Sequence, residues 1–90
     1  MDIIKIQKNI IKIIEKKKKI HLKSFNDKLN FKFLDKGHID SINIINFILD
    51  IEGSFKVKLT ALDTQSNNFR TPLGISKILK KKINDKKNKK

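Results

Sequence analysis

The stretch Asp40-Ser41-Ile42-Asn43-Ile44-Ile45-Asn46-Phe47-Ile48-Leu49-Asp50-Ile51-Glu52-Gly53 decides how this chain folds. Ile42, Ile45, Ile48, Leu49 and Glu52 trace helical spacing, and Ile44, Phe47 and Ile51 nearly complete the circle. A helix apolar on most sides sits at the centre of its domain, because each face needs a neighbour to cover it. Asp40 or Ser41 supplies the N-cap and Gly53 ends the helix.

Upstream, residues 3–19 form an amphipathic helix. Ile3, Ile6, Ile10 and Ile13 make a stripe that Ile4, Ile11 and Ile14 widen, and Lys5, Lys8, Lys12 and Lys16 fill the other face. The run Lys16–Lys19 ends it, where cations suit the helix dipole. Residues 20–40 carry no sustained period. Leu29, Phe31 and Phe33 alternate as a short strand would, but strand partners are scarce. We read a long loop that tucks Phe25, Phe33 and Leu34 onto the core, with Gly37 free to take positive φ in the turn Asp35-Lys36-Gly37.

Downstream, Phe55, Val57 and Leu59 make an extended apolar connection, and Thr60 to Phe69 is polar with room for one helical turn. Thr71 and Pro72 open a last helix near 72–82, whose inward face is Leu73, Ile75, Ile78, Leu79 and Ile83. From Lys80 the chain is nearly all Lys, Asn and Asp and is expected to fray. The expected organisation is one domain over 1–81 and a basic, disordered tail over 82–90. The fold class is all-α, a small three-to-four-helix bundle with a long first loop.

Composition bounds the function. Ninety residues without cysteine exclude disulfides, thiolate metal sites and Cys nucleophiles, and His21 and His38 are too few for a histidine cage. No apolar run approaches the ~18 residues of a membrane span. The opening Met1-Asp2-Ile3-Ile4-Lys5 lacks a signal peptide's order, so a cytoplasmic chain is expected. The net charge of +13 invites a nucleic-acid reading. Yet Lys, Ile and Asn, all with A/T-rich codons, make up 47 of the 90 residues, and arginine occurs once, at Arg70. Tyr and Trp are absent, so base stacking would rest on Phe alone. Compositional drift therefore accounts for most of the charge, and the basic runs read as solvated surface.

The segment Asp35-Lys36-Gly37-His38-Ile39-Asp40-Ser41-Ile42, the helix behind it, Glu52-Gly53-Ser54-Phe55 and Phe69-Arg70-Thr71-Pro72-Leu73 together resemble the acyl/peptidyl carrier protein family over residues 3–80. In that family an Asp-Ser-Leu motif, here Asp40-Ser41-Ile42, opens the second helix and its serine carries 4′-phosphopantetheine. The resemblance implies a carrier-type bundle and a free-standing carrier that is not an enzyme. It would hold a substrate as a thioester on the arm at Ser41. Asp40 would position the serine and contact Mg²⁺ during loading. A helix N-terminus suits the phosphodiester, because its free N–H groups favour an anion.

The implied partners are a phosphopantetheinyl transferase, an acyl- or aminoacyl-activating ligase, and condensing or transfer enzymes downstream. A monomer without a specific nucleic-acid partner is expected. Ile42 and Ile45 read either as core or, with Asn46, as partner-contact surface beside Ser41. Asn43 and Asn46 stand where family members carry acidic residues, and Gly53-Ser54 replaces an acidic pair. Those departures point to partners with neutral or co-adapted surfaces, or to a dedicated pathway. The reading from another class is a small basic helical nucleic-acid-binding protein. A hydrolase built from His38, Asp40 and Ser41 is disfavoured, since three groups within four residues do not reach nucleophile–base–orienter geometry.

Overall fold

The computed structural model describes residues 2–40 and 42–88, with side chains to Asp85. Its elements are α1 (Ile3–Lys17), α2 (Phe25–Leu29), α3 (Asn43–Phe55), α4 (Ala61–Gln65), a 3-10 turn (Asn67–Arg70) and α5 (Pro72–Asn88). The described residues contain no strand, and the chain is all-α. None of its helices is long and apolar enough to cross a membrane.

Helix α1 forms as its stripe requires. Ile6, Ile10, Ile13 and Ile14 are buried, and the helix packs against both α3 and α5. Asp2 caps its start and Lys16 and Lys17 occupy its last turn. Lys17 bonds Asp50 at 3.0 Å, tying the end of α1 to α3.

The phase of α3 differs from the sequence expectation. Its inward face is Phe47, Ile51 and Phe55, four residues apart, with Ile44 and Ile48 packed beside them. Ile42, Ile45 and Leu49 face outward instead. The two phenylalanines offer the largest apolar area and so win the core position over the isoleucines. Phe47 meets Phe33 edge-on at 5.4 Å and Phe69 at 6.1 Å, so three segments distant in sequence share one aromatic centre. The helix also runs through Gly53, which is open to solvent, and stops at Lys56, whose φ of 54° is left-handed.

The first loop holds the short helix α2, capped by Ser24 and too brief to show a period. Phe33 is buried and Leu34 packs against the core as expected, but Phe25 stays 40% exposed; Leu29 and Ile39 are the buried anchors. Gly37 adopts φ 68°, the turn conformation foreseen for it.

Thr71 caps α5 by accepting the Gly74 N–H at 3.1 Å, with Pro72 first in the helix. The helix does not stop at residue 82 but continues to Asn88, with Ile83 packed against the core. The start of α5 lies so close to the 3-10 turn that a Cβ on Gly74 would collide with the Asn68 backbone carbonyl.

Helix α4 is pinned by a reciprocal cap. Thr60 N–H donates to Asp63 Oδ2 at 2.8 Å, and Asp63 N–H donates to Thr60 Oγ1 at 3.2 Å. Asp63 also bonds Lys82 of α5 at 2.7 Å. Burial pushes the Asp63 carboxyl up, but the Lys82 and Thr60 hydrogen bonds and the Lys82 charge outweigh it and hold the group below its ordinary 3.8. A carboxyl with a depressed native value contributes stability that is complete above the ordinary value and is lost as pH falls through the native one. Asp63→Asn is therefore expected to flatten the pH dependence of denaturant unfolding below pH 3.8. At neutral pH it should cost about 1 kcal/mol. An unchanged acid limb in the variant would show that the pair contributes nothing.

Candidate functional site

The segment leading into α3 is anchored at four points. The turn at Gly37 is closed by N–H donation from Gly37 to the Leu34 carbonyl and from His38 to the Phe33 carbonyl. Ile39 is buried. His38 Nε2 lies 2.7 Å from the carbonyl oxygen of Lys18, just past α1. A carbonyl only accepts, so Nε2 carries the proton, and the ring satisfies an acceptor left over at the end of α1. The ring edge also meets Phe31 at 5.1 Å. His38 is thus a half-buried strut, not the solvent-facing loop residue its surroundings in sequence imply. Finally, Arg70 bonds Asp35 at 2.7 Å, so the single arginine fastens this loop to the 3-10 turn.

Asp40 is the capping residue of α3. Its carboxylate accepts the Asn43 N–H at 2.9 Å and its carbonyl accepts the Ile44 N–H at 2.9 Å. Ser41, the expected attachment point, lies outside the described residues. Its neighbours Asp40 and Ile42 are both exposed.

Beyond Asp40, α3 presents an apolar stripe to solvent. Ile42 is 79% exposed, Ile45 63% and Leu49 57%, at the i, i+3, i+7 spacing of one face, with Asn46 exposed beside them. Of the two readings of Ile42 and Ile45, the core one is corrected by this exposure. Leu49 belongs to the same face and was missed, because any apolar residue in so apolar a helix is assigned inward by default. The charge is as uneven as the exposure. The nineteen residues between Lys36 and Lys56 contain no lysine or arginine, although 22 of the 90 residues are basic. This is the longest cation-free run in the chain, and it covers the capping segment and all of α3.

Among the described residues, His38 is engaged with Lys18 and Asp40 with its own helix. Among the described residues no group of three acidic, histidine or cysteine side chains converges as a metal site. An open cleft of about 650 Å³ lies where the end of α3 meets α5, lined by Glu52, Gly53, Lys56, Val57, Lys58 and Lys82. Glu52 there accepts the Leu59 N–H at 2.8 Å, so it serves the chain connection. Comparison of the chain with family models, with curated proteins and with solved structures returns no match.

Proposed function

We propose that this chain is a free-standing acyl or peptidyl carrier protein of the carrier-type helical bundle, bearing 4′-phosphopantetheine on Ser41. The observation that carries the reading is the surface beside that serine. An exposed apolar stripe of Ile42, Ile45 and Leu49, free of cations, follows a capped helix start in a chain otherwise dense in lysine. Exposed apolar surface of this kind marks a protein-contact site. Drift toward lysine has spared this face, which fits selection for partners that read it.

Each described residue then has a task. Asp40 starts the helix by capping Asn43, and its exposed carboxylate stands next to the serine in sequence. His38 and Arg70 hold the loop that leads there. Ile42, Ile45 and Asn46 form the contact surface for the transferase and for the enzymes that load and unload the carrier. The arm supplies a terminal thiol on which an acyl or aminoacyl group travels as a thioester. The exposure of Asp40 and Ile42 fits such a group, since a modifying enzyme can reach the chain on both sides of the serine.

The test is loading by the phosphopantetheinyl transferase of the same organism with Mg²⁺ and coenzyme A, read by intact mass. A gain of one phosphopantetheinyl group is expected. Ser41→Ala should abolish it with little loss of stability, because Asp40 caps the helix. Asp40→Ala should slow loading and cost about 1 kcal/mol of stability. A folded wild-type protein left unmodified by the cognate transferase overturns the reading.

A further inference from the structure

We propose that the groove between α1 and α2 docks an acidic amphipathic helix of a partner protein. The groove measures about 630 Å³ and lies on the side of α1 formed by Lys5, Lys8, Lys12 and Ile11. Lys23 and Phe25 line it from the side of α2. Ile11, which lines it, is buried, and Phe25 is 40% exposed. The inference does not depend on Ser41 or on the carrier reading.

Three features point to this occupant. First, none of the ion pairs among the described residues uses Lys5, Lys8, Lys12 or Lys23, whereas Lys28 at the groove's end is neutralised by Glu15 at 3.3 Å. Second, Lys5, Lys8 and Lys12 stand at i, i+3 and i+7 on one helix face, where like charges repel and weaken the helix. A row of ligand carboxylates would relieve that repulsion. Third, cations from both sides flank an apolar floor. That pattern matches a ligand with an apolar ridge between two negative edges, which is an acidic amphipathic helix lying in a groove. A nucleic-acid strand carries its phosphates along one edge and its bases along the other. A lipid surface is flat and does not reach a concave floor.

The experiment titrates the full chain with a designed peptide whose leucine ridge is flanked by glutamates. A scrambled peptide of equal composition, an oligothymidylate and phosphatidylglycerol vesicles are run alongside. We expect saturable binding of the amphipathic peptide, at least about tenfold tighter than the scrambled one. Lys8→Glu and Lys12→Glu should each weaken it about tenfold. Their melting temperatures should hold, because Lys8→Glu gains Lys5 and Lys12 as opposite-charge neighbours and Lys12→Glu gains Lys8 and Lys16 against the one like charge of Glu15. Phe25→Ser should weaken binding without changing the charge. Lys77→Glu and Lys81→Glu on the exposed side of α5 should leave it unchanged. Equal binding of the scrambled peptide, or equal loss in the α5 variants, would reduce the effect to net charge and overturn the proposal. Groove-dependent binding of the oligonucleotide or the vesicles in place of the peptide would overturn it too.

Discussion

Phe47→Ala is expected to remove most of the chain's stability. The ring is fully buried and touches Phe33 on one side and Phe69 on the other. Truncating a buried phenylalanine costs about 3–5 kcal/mol in all, and the loss of two edge-to-face contacts places this one toward the upper end. A domain of this size has a total stability near the low end of about 5–15 kcal/mol. One substitution therefore removes most of it. Ile45→Ala, two residues earlier in the same helix, removes a side chain that is 63% exposed and should change stability by no more than about 0.5 kcal/mol. Circular dichroism and thermal melting of the two variants decide the matter. Comparable stability in both would mean that Phe47 is not the hub of the core.

The second large effect is expected at Gly74. Helix propensity alone favours alanine there by about 1 kcal/mol. The added Cβ, however, would meet the Asn68 carbonyl and its neighbouring backbone atoms, and backbone cannot swing aside as a flexible side chain can. Overpacking of this kind costs about 3 kcal/mol, so the clash wins by about 2 kcal/mol. A loss of about 12 °C in melting temperature follows for a domain of this length. Gly53→Ala is the matched control. It sits in α3 with nothing near its Cβ position, and the same exchange should stabilise the protein by about 0.5–1 kcal/mol. If both exchanges shift stability the same way, the close approach of α5 to the 3-10 turn is not a constraint.

How much of this was legible in the sequence varied with the physics of each element. Helix α1 was readable because its isoleucines stand on one side and its lysines on the other. Thr71-Pro72 announced α5 because capping and proline placement are local chemistry. Helix α3 was located but mis-phased. With apolar residues on nearly every side, periodicity has no direction, and only the spacing of Phe47, Ile51 and Phe55 marks the true inward face. Gly53 was read as a stop because glycine often is one, yet the helix ends at Lys56. The end of α5 was set too early because the run of Lys, Asn and Asp from Lys80 reads as a fraying tail, although Ile83 already belonged to the inward face and the helix continues to Asn88. At the candidate site, the sequence left the cap between Asp40 and Ser41, and the hydrogen bonds of Asp40 to Asn43 and Ile44 show it in that role. The roles of His38 and Arg70 did not follow from the sequence, since each depends on a partner, Lys18 or Asp35, far along the chain.

The pairing of α1 with α5 also has a consequence for how the protein is made. Helix α1 leaves the ribosome before α5, the helix it packs against most, so part of its apolar face stays wet until α5 has emerged. Partly synthesised chains expose just the surface that makes nascent proteins stick to one another. Packing of α1 is thus completed only once α5 has been made. A stop codon between Lys56 and Pro72 should yield a product that chaperones hold and proteases clear, even though the whole capping segment and α3 have been made.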